Sequence, residues 1–354
     1  MDFKVSAFNI DKFLTNGAFL VIPNRQKIWT MTNVINSFQR DKSKISFYKN
    51  DFFLNEEKPW LSGEYESEFN IEDFNAILNQ IETINPIFKW EKVDFDFYEK
   101  KFNLLKNEIS KGDILKGVPF LHKKCFKNLN QNDIAYLLKN LFANASSENL
   151  FLYGAWDLKK SEGFIGASPE LLFEQKMNLV ETFALAGTIS EENNVEHLCS
   201  KILQEHNYVV DGIRNQLSLF GEIETKGNEI LKFNKFSHLK SNFLLHLNEQ
   251  FDFEKVVHSI HPTPALGTYP KEEGKNWLNI IENTIEKRGH YCSPFGIILN
   301  DEYSICIEII RGLQWKNNML EITAGGGVIE ESDYHSECNE ILLKLDSIQN
   351  YFNV

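Results

Sequence analysis

EITAGGGVIEESDYHSECNEILLKLDSI, residues 321–348, is the stretch on which the reading of the fold turns. An apolar strand pattern stops at Gly325-Gly326-Gly327 and a helical spacing follows, so a strand is expected to feed a helix through a glycine-rich turn. On that helix Glu337, Glu340 and Lys344 stand at i, i+3 and i+7 and project from one face. Two carboxylates beside an ammonium form a site-like set. Glu340 and Lys344, at i and i+4, would equally suit a solvated helix surface.

The chain has 354 residues, enough for two ordinary cores or one large one, and 42% hydrophobic with 25% charged residues is a globular rather than a disordered composition. No apolar run reaches the roughly 18 residues needed to cross a bilayer. The opening MDFKVSAFNIDKF has no cationic segment followed by an apolar one. A cytoplasmic location with no membrane partner is therefore expected. A net charge of -13 argues against nucleic acid, which is recognised through clustered Lys and Arg, but not against a small anion met by a local cationic pocket or a metal. The cysteines at 125, 199, 292, 306 and 338 form no CxxC pair and read as reduced packing thiols. Asn144-Ala145-Ser146 matches a glycosylation acceptor but lacks a secretory signal to support it.

Residues 1–90 alternate short apolar runs with polar turns, at 17–23, 27–31 and 44–49, as a mainly antiparallel sheet does. Residues 91–354 carry the chemistry-bearing motifs, and the whole is expected to be one unit. Helical spacing appears at 91–112, stopped by Gly112, and again at 131–143, 196–219, 252–260 and 272–287. Strands are expected near 228–247 and as a meander over 292–323 with turns at Asn300-Asp301 and Asn317-Asn318.

Within this order a few residues stand out. Lys116 lies in the strand-like run DILKGVPF, where a lysine usually keeps its head in water; a buried amine would be driven toward its neutral, proton-accepting form. Gly166-Ala167-Ser168-Pro169-Glu170 passes close to something or begins a helix. Ala186-Gly187-Thr188 ends a strand in a small-residue turn. Leu198, Ile202, Glu205, Val209 and Ile213 make one helical stripe, so the Glu205 carboxylate sits on an apolar face, where it wants a cation or metal. His261 opens the rigid loop HPTPAL as a ligand, an acid, a base or a capped core histidine. Arg311, in the apolar strand SICIEIIRGL and facing away from Ile310 and Gly312, wants a carboxylate or a bound anion.

GASPE (166–170), LAGT (185–188), the Glu205-His206 pair, HPTPAL (261–266), Arg311, AGGG (324–327) and the ExxE with its following Lys (337–344) resemble, in this order, the chorismate-utilising enzymes. These are isochorismate synthase, salicylate synthase, anthranilate synthase component I and aminodeoxychorismate synthase component I. The resemblance covers roughly residues 95–350. No single motif is specific, but their order is.

The resemblance implies an α+β fold in which two antiparallel sheets pack as a sandwich with outer helices, the site lying between layers. It implies that Glu205 and Glu340, with Glu337 nearby, hold Mg²⁺, a hard cation suited to oxygen ligands. Chorismate would be the small-molecule substrate, its carboxylates meeting the metal on one side and Arg311 with Lys344 on the other. Lys116 matches a general base that activates water for attack at C2, and Glu170 a general acid that protonates the departing C4 hydroxyl. His261 would line the pocket near that hydroxyl; the backbone of Ala186, Gly187 and Thr188 would floor it, and Gly326 would let the substrate approach.

Ala186 stands where aminodeoxychorismate synthases place a nucleophilic lysine, and Lys116 stands where anthranilate synthases have none. The implied activity is thus isochorismate synthase, an isomerase, serving menaquinone or a catecholate siderophore. Salicylate synthase, which then expels pyruvate in the same pocket, is the alternative. Three departures accompany the resemblance: Gly-Val-Pro-Phe-Leu follows Lys116 in place of a run ending in Ser/Ala-Arg, Cys292-Ser293 follows Tyr291, and Glu330 replaces a common proline. A monomer is expected, with a dimer as the other possibility.

Overall fold

Two large antiparallel sheets carry the chain in a computed structural model that describes residues 8–145, 148–190, 200–232 and 236–354. The first has eight strands in the spatial order Tyr65–Asn70, Lys27–Thr32, Asn16–Ile22, Phe151–Asp157, Glu162–Ser168, Gly312–Lys316, Met319–Gly325 and Phe120–Phe126. The second has nine, in the order Gly221–Lys232, Phe236–Leu247, Leu179–Ser190, Leu171–Lys176, Tyr303–Glu308, Pro294–Asn300, Ser46–Lys49, Trp60–Ser62 and Ile35–Ser37. A two-stranded ribbon pairs Lys116–Gly117 with Thr268–Tyr269. Strands from the first ninety residues enter both large sheets.

Strand sequences explain the layering. In Asn16–Ile22 the residues Ala18, Leu20 and Ile22 join a cluster between the sheets with Phe47, Phe295, Ile297, Ile305 and Ile307. Phe19 and Val21, of opposite parity, pack under helices on the outer face. A strand buried on both faces has to be apolar throughout, which is why this run does not alternate. Each such side chain withdrawn from water contributes roughly 1.5–3 kcal/mol. Phe13, Phe74, Leu138, Phe142 and Ile341 fill the outer core of the first sheet, and Val209, Ile213, Leu217 and Val257 that of the second.

Helix Tyr334–Phe352 begins where the Asp333 side chain accepts from Ser336 N, and it buries Ile341, Leu345, Ile348 and Phe352 against the first sheet. Helix Ser200–Leu217 lays Val209 and Ile213 on the second sheet. The expected start of that helix, including Leu198, lies outside the described residues, as do Cys199 and Ser146. Cys125, Cys292, Cys306 and Cys338 are buried free thiols.

Several expectations need correction. The first ninety residues also hold helices Ile10–Thr15 and Ile71–Asn79. The helix expected at 272–287 is Lys275–Ile280 followed by a π-turn at Ile281–Ile285, and Glu286 is extended. The apolar run SICIEIIRGL is not one strand: Tyr303–Glu308 ends in the second sheet and Gly312–Lys316 starts in the first. Arg311 occupies the bend between them at φ 54, so it does not alternate with its neighbours. Ser168-Pro169-Glu170 likewise starts no helix; it is the crossing from Glu162–Ser168 in the first sheet to Leu171–Lys176 in the second. No helix among the described residues is long and apolar enough to cross a membrane.

Candidate active site

Both sheet crossings open on one cleft. It contains about 700 Å³ of free space, counting its mouth, and Pro169, Glu170, Ile310 and Arg311 stand in its wall. The two crossings are tied together: Glu308 N donates to Glu170 O at 3.1 Å, Ser168 Oγ donates to Glu308 O at 2.7 Å, and Ala167 N donates to Arg311 O at 3.2 Å. Glu170 is 3% exposed and its Oε1 has no hydrogen-bond partner among the described residues. Burial first, then the charge of Glu308, push its carboxyl up to about 8, with Lys116 and Arg311 opposing. Glu170 is therefore a protonated donor near neutral pH.

Lys116 is not at a watery sheet edge. The short ribbon strand buries it completely, and its Nζ donates to Pro264 O at 2.6 Å and lies 3.7 Å from Glu205 Oε1. Desolvation drives its proton affinity down, while Glu205 pulls the other way. The amine lies just behind Gly327, where a Cβ would come within 2.0 Å of Glu205 Oε1 and 2.9 Å of Lys116 Nζ. Glycine is needed there for the backbone to pass.

Two helices bring three carboxylates within electrostatic reach of one another, and Glu205 is the one beside this amine. Glu205 comes from helix Ser200–Leu217, Glu337 and Glu340 from helix Tyr334–Phe352. Burial raises the proton affinity of Glu205 and Glu337, and each is raised further by its carboxylate neighbours, with Lys116 and Lys201 opposing. Lysines offset the charge: Lys201 Nζ is 2.7 Å from Glu337 Oε1, and Lys344 Nζ is 2.7 Å from Glu340 Oε1. Lys344 also donates to Gly325 O at 2.9 Å. Among the described residues no trio of His, Cys, Asp or Glu is drawn tightly enough to hold a metal unaided. The donors are nonetheless hard oxygens in a partly desolvated, mutually repelling set, which fits a Mg²⁺ that keeps waters and takes oxygens from a substrate.

The remaining expected residues divide. Ala186 and Gly187 line the cleft, and Gly187, at φ 76, makes the β-bulge that turns the strand there. The side chain of Thr188 is outside the described ones. Glu205, Arg311, Glu340 and Lys344 line the cleft, whereas Glu337 lies behind it on Lys201. Gly326 faces Glu337 Oε2 rather than the cleft, while Gly325 and Gly327 form its wall. His261 is not a wall residue either. Its Nδ1 is 2.8 Å from Glu308 Oε1 and its Nε2 2.8 Å from Phe52 O, so both ring nitrogens are used one layer further in.

Residues assigned no role from sequence also face the cleft, among them Tyr291, His238 and Thr323. Tyr291 carried a faint signal, its place in the Arg-x-x-aromatic run at 288–291. Its hydroxyl lies 2.9 Å from where a Cβ on Gly325 would stand. His238 sits on a plain alternating strand and carried none. Burial, aided by Arg311 and Lys344, lowers its imidazole to about 3, so it faces the cleft neutral.

A family model described as "Chorismate binding enzyme" matches residues 28–353. The chain belongs to the chorismate-binding enzymes. Among curated members it is 31% identical over 198 residues to isochorismate synthase MenF of Bacillus subtilis, covering 53% of this chain and 42% of that protein. It is 29% identical over 281 residues to anthranilate synthase component 1 of Saccharomyces cerevisiae, covering 74% and 53%. The matched part thus spans about half the length of these two chorismate-binding relatives. The fold is that of Escherichia coli MenF, a menaquinone-specific isochorismate synthase, at TM-score 0.75 and 16% identity over 98% of this chain and 92% of that one. The sandwich with outer helices is therefore the chorismate-utilising fold.

Proposed function

We propose that this chain is an isochorismate synthase that converts chorismate to isochorismate. The observation that carries the reading is the opposed tuning of two groups at one cleft. Lys116 is pushed toward its neutral, proton-accepting form, and Glu170 keeps its proton up to about 8. Lys116 takes a proton from a water as that water's oxygen bonds to C2. Both ring double bonds shift by one position, the C4–O bond breaks, and Glu170 gives its proton to the departing hydroxyl, which leaves as water. Transfer of one proton from Lys116 back to Glu170 restores the resting state.

Arg311 and Lys344 supply cationic charge to the cleft for a substrate carboxylate. Glu205 and Glu340, with Glu337 behind them, would hold Mg²⁺. When bound, the ion would neutralise substrate carboxylate charge and orient the ring. Ala186 leaves the cleft floor without an amine nucleophile, in keeping with water as the attacking group. Menaquinone synthesis is the proposed destination, prompted by the MenF relatives.

Incubation with chorismate and Mg²⁺, followed by chromatography of isochorismate, salicylate, anthranilate and pyruvate, tests this. Isochorismate as the accumulating product supports the proposal. Equal amounts of salicylate and pyruvate, or anthranilate formed with an ammonia source, would overturn it.

A further inference from the structure

Glu308 is fully buried at the end of strand Tyr303–Glu308 and does not line the cleft, so the proposed reaction leaves it without a role. Its only hydrogen-bond partner through Oε1 is His261, and its Oε2 has none among the described residues. Phe52 O can only accept, so His261 Nε2 carries a proton. Nδ1 then either accepts from a protonated Glu308 or, as part of an imidazolium, donates to its carboxylate. Either way, one proton is held between the two side chains.

That pair sits directly behind Glu170. Glu308 N donates to Glu170 O, Ser168 Oγ donates to Glu308 O, and Glu170 N donates to Ser168 Oγ at 3.1 Å, closing a ring of bonds around the crossing. Each carboxyl has one buried oxygen without a hydrogen-bond partner among the described residues, Glu170 Oε1 and Glu308 Oε2. Two carboxyls so confined do not both ionise readily, and the one with a basic partner ionises first. His261 is that partner, and it belongs to Glu308.

We infer that Glu308, anchored by His261, is a positioning residue that keeps the proton on Glu170. This rests on Glu170 being the general acid of the proposed reaction. The other groups facing the pair are few. Lys271 acts on Glu308 and donates to His261 O at 2.6 Å, while Lys116 and Arg311 act on Glu170. Cys292 and Cys306 also face it, both thiols raised by burial and so neutral. After burial itself, Glu308 is the largest influence on Glu170; it acts in its ionised form, the one in which His261 holds the shared proton against the opposing effect of burial on Glu308.

Glu308→Gln and His261→Asn are compared with the wild type by two readouts. One is the infrared carbonyl band of protonated Glu170, identified by its loss in Glu170→Gln; the other is the pH profile of chorismate turnover. In the wild type the band is expected to persist to about pH 8. In both variants it is expected to vanish at a pH lower by about one unit or more, and the high-pH limb of turnover moves with it. His261→Asn acts in the same direction because Glu308, without its basic partner, takes up the proton itself. An unmoved band in a folded variant, even with turnover reduced, means that Glu308 serves only packing and overturns the inference. A shifted band in a protein that does not turn over chorismate supports the inference while refuting the proposed function.

Discussion

Lys201 Nζ lies 2.7 Å from Glu337 Oε1, so one ion pair ties helix Ser200–Leu217 to helix Tyr334–Phe352 behind the cleft. Glu337 is 2% exposed, and Lys201→Met would strand its carboxylate without a cation. A fully buried pair broken this way costs roughly 3–5 kcal/mol. Because Lys201 is 29% exposed, about 1–3 kcal/mol is expected after solvent screening, read as a lower melting temperature. Added Mg²⁺ should restore part of the loss.

Removal of divalent cations with a chelator is expected to abolish isochorismate formation, and Mg²⁺ to restore it. Glu205→Gln and Glu340→Gln should raise the Mg²⁺ concentration giving half-maximal rate, because each removes one anionic oxygen donor. Metal titrations of initial rate check this.

Glu170→Gln and Lys116→Ala are each expected to lower kcat by about 10²–10⁴-fold, the span of general acid or base catalysis. The chain should still fold in both cases.

Glu170 also sets a pH dependence of stability. Its folded carboxyl binds a proton up to about 8 against an ordinary 4.5, so the native state holds the proton more tightly than the unfolded one. This contribution is fully present below about 4.5 and is lost as pH rises through about 8. Glu170→Gln removes the slope, so in denaturant titrations the variant should gain on the wild type as pH rises from 4.5 to 8.

Gly327→Ala is expected to reduce turnover by about 10²-fold with little loss of fold, because a misplacement of about 1 Å among reacting groups has that effect. The added methyl would stand 2.0 Å from Glu205 Oε1 and displace both it and Lys116. Steady-state kinetics and a thermal melt separate the two effects.

Local patterns were legible because they report burial directly. The spacing of Phe102, Leu105 and Ile109 marked a helix that does end at Gly112, and Glu205 on the Val209–Ile213 stripe pointed to a carboxylate in need of a cation. What could not be read was which sheet each strand joins, since apolar residues face a core on either side of both sheets. Arg311 looked like a strand residue because nothing in its neighbours encodes a φ of 54. Lys201, His238 and Glu308 acquire meaning only from partners brought together by tertiary contacts. Lys116 stood out as a lysine in an apolar run and Glu170 as the end of a small-residue turn, but their roles as base and acid came only from the resemblance.

The crossings at 169–170 and 309–311 constrain how this protein can change. Glu170 and Arg311 sit at two stitches that each join an inner strand of one sheet to an inner strand of the other, and backbone bonds lock the two stitches to each other. A slip of either sheet by one residue would reverse every inward side chain and drag the acid and the guanidinium along with it. The spacing of those two groups is thus inherited from strand register. The edge strands Ile35–Ser37 and Tyr65–Asn70, far along the sheets from either stitch, can diverge without disturbing it.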